Sequence, residues 1–205
     1  MKIVIIGVGT TAMIVADIIS ESHNFTLAGF IGTHEEAEKL ARSRVYGNVP
    51  FLGDRSILQD LKAEGINGFI SAIGNNEIRE KAYYEALQAG LIPINAVSKK
   101  ASINPDVSMG KGIVISPGVV ISHGATLEDN ILLDPSVIID VDSVVGSNCY
   151  SYPGVIICGG CTIERNVTLR AGVIVEPGVK IGKNQDIAAG TVVSKNLERL
   201  HRRED

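Results

Sequence analysis

Ile121-Ser-His-Gly-Ala-Thr-Leu127, Ile139-Asp-Val-Asp-Ser-Val-Val145 and Ile157-Cys-Gly-Gly-Cys-Thr-Ile163 begin eighteen residues apart, and each closes on an aliphatic residue six positions after its first. The same step of six, started at Val97, meets Ile103, Met109, Ile115, Ile121, Leu127, Leu133, Ile139, Val145, Ser151, Ile157, Ile163, Leu169, Val175, Ile181, Ile187 and Val193. Of these seventeen only Ser151 is not aliphatic. Six residues turn an α-helix by roughly 600°, so a helix cannot hold such a series on one face. A hexapeptide repeat of a parallel β-helix can.

Three hexapeptides make one coil of eighteen. That longer period appears in Leu127-Glu-Asp-Asn130, Val145-Gly-Ser-Asn148, Ile163-Glu-Arg-Asn166 and Ile181-Gly-Lys-Asn184. It recurs in the turns at Pro117-Gly118, Pro135-Ser136, Pro153-Gly154, Ala171-Gly172 and Ala189-Gly190. The expected shape is a triangular prism with one aliphatic pointing inward from each side. A small residue four positions on fills the remaining space (Ala125, Ser143, Cys149, Val155, Cys161). Gly, Pro and Asn suit the tight corners. The period runs unbroken from about 97 to 193, so no long loop is expected to project from the prism.

Composition agrees with a small-residue core: aromatics are 4% with no Trp, while Gly reaches 22 residues. Hydrophobic residues at 45% and charged residues at 20% exclude a disordered chain. The net charge is -4, and residues 1–96 carry 8 basic against 11 acidic side chains, 97–205 carrying 11 against 12. Neither half is a basic module, which argues against a nucleic-acid partner. No apolar run is long enough for a membrane span, and Lys2 with its short apolar run is no signal peptide. Three cysteines in such a chain point to a reducing, cytoplasmic setting.

The first half has a different rhythm. Lys2-Ile-Val-Ile-Ile-Gly7 reads as a buried strand, followed by an amphipathic stretch from Met13 to Ser20. Phe25 to Ile31 and Gly68 to Ile73 read as further strands, a helix runs from there to about Gly90, and Leu91-Ile-Pro-Ile94 is a last short strand. Strands alternating with helices predict a small parallel α/β sheet of Rossmann-like type. Gly7-Val-Gly9-Thr-Thr-Ala12 matches a dinucleotide-type glycine turn, whose chemistry is close approach of backbone N–H groups to phosphate at a helix N-terminus. The acidic residue expected after the second strand is missing, since Phe30-Ile31-Gly32-Thr33 stands there. An NAD-dependent oxidoreductase is therefore disfavoured, and no catalytic set accompanies the turn. Gly74-Asn75-Asn76 opens a second helix at the same edge of the sheet. The domains expected are 1–96, 97–195 and a tail at 196–205.

This order of parts, with Ser71-Ala-Ile-Gly-Asn-Asn-Glu-Ile-Arg79 as its most specific stretch, resembles the bacterial sugar acyltransferases. The group is typified by UDP-4-amino-sugar (bacillosamine-pathway) N-acetyltransferase and the sialic acid O-acetyltransferases. The resemblance implies a left-handed β-helix and a homotrimer. It also implies a nucleotide-sugar substrate held by the α/β domain, and acetyl-CoA as acyl donor between neighbouring prisms. Position by position, it places Gly7, Gly9, Thr10, Thr11, Gly74, Asn75, Asn76 and Ile78 on the sugar nucleotide. Gly159, Ala171 and Ala189 fall along the pantetheine arm, and Tyr150 stands where a second prism His is usual. The implied activity is transfer of an acetyl or similar group to a nucleotide-activated amino sugar in glycan or polysaccharide synthesis. The alternative is a catalytically silent member that binds a nucleotide sugar or serves as a trimeric scaffold.

The chain departs from the family at its chemical centre. The usual acid-His-acid motif aligns with Asp140-Val141-Asp142, the His that often follows the glycine turn falls on Thr11, and the usual C-terminal motif is missing. His123 lies eighteen residues before Val141, at the same corner one coil earlier and so about 4.7–4.9 Å away. It is the candidate base, with Asp142 assisting and Asp140 able to orient it or hold a cationic amine. A second route needs no protein base. An amine with a pKa of roughly 7.7–8.0 is partly neutral already, and positioning supplies much of the rate. A sugar hydroxyl is much less acidic and needs a base, so loss of the usual His favours N- over O-acylation. No metal is expected: the four His (His23, His34, His123, His201) include one in the prism, too few for a prism zinc site of three His. Cys158-Gly-Gly-Cys161 is explained by the repeat, and Arg199, Arg202 and Arg203 of the tail read as a solvated face or as contacts to CoA phosphates.

Overall fold

The computed structural model describes residues 1–33, 35 and 49–198, so Arg199, Arg202, Arg203, His34 and His201 lie outside the described residues. The chain divides into two compact units, residues 1–99 with 111–114, and residues 100–110 with 115–205.

The first unit is a five-stranded parallel sheet. Its strands are β1 (Lys2–Ile6), β2 (Thr26–Ile31), β3 (Phe51–Gly53), β4 (Gly68–Ser71) and β5 (Ile92–Pro93), in the order β3-β2-β1-β4-β5. Helix α1 (Thr10–Ser20) follows β1, and α2 (Asn76–Gln88) follows β4. Ile3 to Ile6 of β1 are all buried because the central strand is covered on both faces. On the α2 face, Val4, Ile6, Ile31, Phe69, Ala82, Tyr83 and Ala86 form one core cluster. Strand order reverses between β1 and β4, and ligands of open α/β sheets bind outside the carboxyl ends of the strands at such a point. The elements read from sequence are all present, with α1 beginning at Thr10. Two were missed: β3, and a 3-10 turn at Arg55–Gln59.

The second unit is the prism. Its first face stacks Ser102–Ile103, Val120–Ile121, Ile138–Ile139, Ile156–Ile157, Ile174–Val175 and Val192–Val193 in parallel register. The second stacks Ser108–Met109, Thr126–Leu127, Val144–Val145, Thr162–Ile163 and Lys180–Ile181. The third, from Leu132 upward, stacks Leu132–Leu133, Tyr150–Ser151, Thr168–Leu169 and Asp186–Ile187. Each register step is eighteen residues, as the sequence period requires. The prism is the left-handed parallel β-helix expected of the resemblance.

What makes the corners turn is visible in the backbone. Left-handed conformations recur at every sixth residue from Gly112 to Gly190, and each such residue is Gly, Asn, Ser or Asp. A side chain with a bulky or branched Cβ at φ near +60° is strained by roughly 1–2 kcal/mol, whereas Gly escapes this and Asn or Asp eases it by local hydrogen bonding. On one corner the Asn residues add a ladder. Asn130 Nδ2 donates to Asn148 Oδ1 (2.8 Å), Asn148 Nδ2 to Asn166 Oδ1 (2.9 Å), and Asn166 Nδ2 to Asn184 Oδ1 (2.8 Å). The inward positions read from the step of six are buried from Ile115 onward, Ser151 included. At the last coil Leu197 bridges Ile181, and Gln185 Nε2 donates to the Glu198 carbonyl (2.8 Å), closing that end. Among the described residues no helix is long and apolar enough to cross a membrane.

Candidate functional site

In the first unit the residues named from the glycine turn gather at the carboxyl ends of β1 and β4. Gly7 has φ +123°, and a Cβ there would meet the Ala72 carbonyl oxygen at 2.5 Å. Only glycine fits, and the cause is packing against the end of β4. Gly9 is different: it is the N-cap of α1, no side chain caps the helix there, and a Cβ would meet nothing within 4 Å. Its backbone therefore borders open space at a helix N-terminus, where the helix dipole favours an anion. Thr10 is exposed and Thr11 is buried.

At the start of α2 the side chains serve the helix first. Asn75 Oδ1 accepts from Ile78 N (3.0 Å) as the N-cap, and Asn76 Oδ1 accepts from Arg79 Nη2 (2.8 Å). Arg79 is fully buried, and its Nη1 donates to the carbonyls of Ile73 (2.9 Å) and Gly74 (3.5 Å). One guanidinium thus ties the β4–α2 turn to the helix that follows it. Ile78 is half exposed and faces a cleft of about 370 Å3, lined also by Gly7, Gly32, Thr33, Asp54, Arg55 and Ser56. Asp54, Arg55 and Ser56 were not anticipated as lining residues. Asp54 caps the 3-10 turn by accepting from Ser56 N (2.8 Å), and Arg55 Nη1 meets Glu85 Oε2 of α2 at 3.0 Å. The Asp-x-Ser pattern after Gly53 was the available signal.

In the second unit, His123 projects from the corner between the first and second faces and is mostly exposed, its side chain 69% accessible. Its Nδ1 lies 2.6 Å from Asp106 Oδ2, which also accepts from Gly124 N (3.1 Å). Asp142, named as the assisting acid, stands one coil further on; its backbone N donates to the His123 carbonyl (3.0 Å), and its carboxylate lies over Gly124. The carboxylate in contact with the imidazole therefore comes from the coil below, not the coil above. Val141 points outward and is exposed, and Asp140 lies beside Gly159 at the same corner. Cys158 and Cys161 are unbridged; Cys161 points inward, and burial is the chief cause that pushes its thiol up.

The residues associated with the acyl donor occupy three places. Gly159 shares the His123 corner, while Ala171 and Ala189 are exposed at the corner between the third and first faces. Tyr150 lies on the third face, buried, its ring stacked on Tyr152 (centroids 4.1 Å apart) and its hydroxyl donating to Asp134 Oδ2 (2.9 Å). Within one chain Tyr150 is not brought to the His123 corner.

Burial raises the Asp134 carboxyl above its ordinary range, and the Tyr150 hydrogen bond offsets part of that. The native state therefore holds this proton more tightly than the unfolded chain, so ionisation costs stability as pH rises through the window above the unfolded value. Asp134→Asn removes that cost and keeps an acceptor for Tyr150. Its Tm is expected to exceed that of the unsubstituted chain at pH 7, with the gap closing below about pH 3.9, where the carboxyl is protonated in both states. Thermal unfolding across pH 3 to 8 checks this; a gap independent of pH would refute it.

Residues 2–86 match the family model of the PglD N-terminal domain. No curated protein sequence matches the chain. Among solved structures, the chain is similar to PerB from Caulobacter crescentus in complex with CoA and GDP-perosamine, at 29% identity and a TM-score of 0.87, covering 97% of this chain and 91% of that one. A variant of perosamine N-acetyltransferase from the same organism, with a histidine replaced by asparagine and the same two ligands bound, matches at 28% identity, TM-score 0.88, over 97% and 90%. The acetyltransferase domain of PglB from Neisseria gonorrhoeae FA1090, in complex with acetyl coenzyme A, shares the fold at 20% identity, TM-score 0.82, over 96% and 92%.

Proposed function

We infer that this chain is a sugar N-acetyltransferase built from a PglD-type N-terminal domain and a left-handed β-helix, and that it moves an acetyl or similar group from acyl-CoA to the amine of a nucleotide-activated sugar. The observation that carries this reading is the match to PerB, a protein seen with CoA and a nucleotide sugar bound, over both halves of the chain at once. In this reading the first unit takes the nucleotide sugar at the carboxyl ends of β1 and β4. Gly7, Gly9, Thr10 and Thr11 approach the diphosphate from α1, and Gly74, Asn75, Asn76 and Ile78 approach from α2. The setting is the cytoplasm, and the product feeds glycan or polysaccharide synthesis.

The prism supports a homotrimer. Its first face turns outward a column of Val120, Ile138, Ile156, Ile174 and Val192, three of which are among the exposed large hydrophobics. The corresponding column of the second face is Ser108, Thr126, Val144, Thr162 and Lys180. An aliphatic ladder of this kind calls for a covering surface, and a cyclic assembly supplies one. His123, Asp140, Asp142 and Gly159 flank one edge of that face, and Ala171 and Ala189 flank the other. A cyclic trimer through this face brings the two edges together from neighbouring copies, forming a cleft for the pantetheine arm, whose amides need backbone partners and little bulk.

In that cleft the amine nitrogen bonds to the thioester carbonyl carbon as one N–H proton passes to His123 Nε2. The C–S bond breaks, the coenzyme A sulfur leaves with its electron pair, and it recovers the proton as the thiol. Asp140 and Asp142 add negative charge beside the amine. The test measures thiol release from acetyl-CoA with UDP-, GDP- and dTDP-amino sugars, alongside calorimetric binding of the same sugars. Turnover with one of them is expected. Binding without turnover would overturn the enzymatic reading in favour of a silent binding protein.

A further inference from the structure

We propose that Asp106 is the positioning residue for His123. It holds the imidazole as the Nδ1–H tautomer so that Nε2 faces outward as the acceptor of the amine proton. This rests on the proposed acyltransferase reading and adds to it a residue outside the family motif, from the coil beneath His123.

Asp106, Gly124 and Asp142 are register equivalents eighteen residues apart, so a carboxylate stands at this corner one coil below and one coil above His123. The two are not alike. Gly124 and Asp142 adopt the left-handed conformation (φ +70° and +56°), while Asp106 is not among the residues with positive φ. Asp106 sits in the turn Asn104-Pro-Asp-Val107, closed by Val107 N to the Asn104 carbonyl (3.1 Å) and by Asp106 N to Asn104 Oδ1 (3.3 Å). Proline before Asp106 suits a type I turn, in which the third residue keeps a negative φ. From that backbone the carboxylate rises toward the next coil. One oxygen, Oδ2, takes both the imidazole at 2.6 Å and Gly124 N at 3.1 Å.

The consequence for His123 is chemical. An imidazole whose Nδ1 donates to a carboxylate presents Nε2 as its free base, and the carboxylate stabilises the imidazolium that forms when a proton arrives. Asp106 is the one carboxylate the structure places within hydrogen-bond distance of this ring among the described residues. A His held only by solvent has no partner that fixes Nδ1 as the protonated nitrogen, and its ring plane is not held.

The experiment uses the full chain, labelled with 15N at histidine, as the unsubstituted protein and as Asp106→Ala and Asp106→Glu. Nitrogen spectra of the imidazole and steady-state kinetics with acetyl-CoA and the accepted amino-sugar nucleotide are read on each. In the unsubstituted protein the His123 spectrum is expected to show the Nδ1–H tautomer. Asp106→Ala is expected to move it to the mixture of an unrestrained imidazole and to lower kcat roughly tenfold with KM unchanged, a fraction of the 10²–10⁴ typical of a general base. Asp106→Glu is expected to recover part of both. An imidazole spectrum unaltered by Asp106→Ala would overturn the pairing. An altered spectrum with unaltered kcat would overturn its role in the reaction. Absence of turnover in the unsubstituted protein would instead defeat the acyltransferase reading, and with it the catalytic use of Asp106, while the spectra would still decide the pairing.

Discussion

His123→Ala is expected to lower kcat for acetyl transfer by about 10²–10⁴, the range in which a positioned general base contributes. KM for the sugar nucleotide is expected to stay close to its original value, because the imidazole moves a proton and does not hold the nucleotide. The opposing physical case is real: an amine with a pKa of roughly 7.7–8.0 is partly neutral at pH 7 and attacks once positioned. The two cases separate cleanly, since the second leaves kcat untouched by the substitution. A second variant sharpens the result. Val141, which the resemblance aligns with the usual His, is outward and exposed, one coil and about 4.8 Å from the coil of His123. Placing His there, as Val141→His in the His123→Ala background, is expected to restore activity only if the acceptor amine lies within reach of both coils. Unchanged kcat in His123→Ala would dismiss His123 as the base.

Much of this architecture was legible because it repeats. A step of six needs no knowledge of tertiary contacts. Each inward position has the same neighbours one coil up and down, so local and global preferences coincide. The corners were legible for the same reason, as φ near +60° leaves few residue types to choose from. Strand β3 was not legible: Phe51-Leu-Gly53 is three half-buried residues at the sheet edge, too short for an alternation to register. The site was harder still. The resemblance places Asn75 and Asn76 on the sugar nucleotide, and in the structure their side-chain oxygens also serve the helix, accepting from Ile78 N and Arg79 Nη2. A capping Asn and a ligand-binding Asn look the same in sequence. Asp106 fell to a different limit. Register arithmetic places it beside His123 as readily as it places Asp142, and what distinguishes them is a side-chain direction set by turn type. For Tyr150 the resemblance gives a place beside the acyl donor, and the structure adds a hydrogen bond from its hydroxyl to Asp134 that the sequence did not signal.

Arg79→Met is expected to destabilise the first unit by about 3 kcal/mol and to abolish sugar-nucleotide binding at concentrations that saturate the unsubstituted chain. The side chain is the largest of those fully buried among the described residues, and Met fills much of its volume, so the change isolates the guanidinium. That group donates to the carbonyls of Ile73 and Gly74 and to Asn76 Oδ1. Hydrogen bonds from a charged donor contribute about 1.5–3 kcal/mol each, and buried acceptors left without a donor add their own desolvation cost. In an isolated unit of about 100 residues, 3 kcal/mol lowers Tm by more than 10 °C. The binding loss follows from geometry. Asn75, which caps α2, and Ile78, which faces the cleft, belong to a turn whose two carbonyls converge on this one side chain. Without it the Ile73 and Gly74 carbonyls lose the donor that ties them to α2. Arg79→Lys retains the charge but lacks the planar fork, so it is expected to recover part of the stability and little of the affinity. Scanning calorimetry and titration calorimetry on the three proteins, the latter well below the lowest Tm, separate the two effects. Nucleotide affinity retained by Arg79→Met at that temperature would show that the turn holds its shape through the β4 ladder and the Asn75 cap alone.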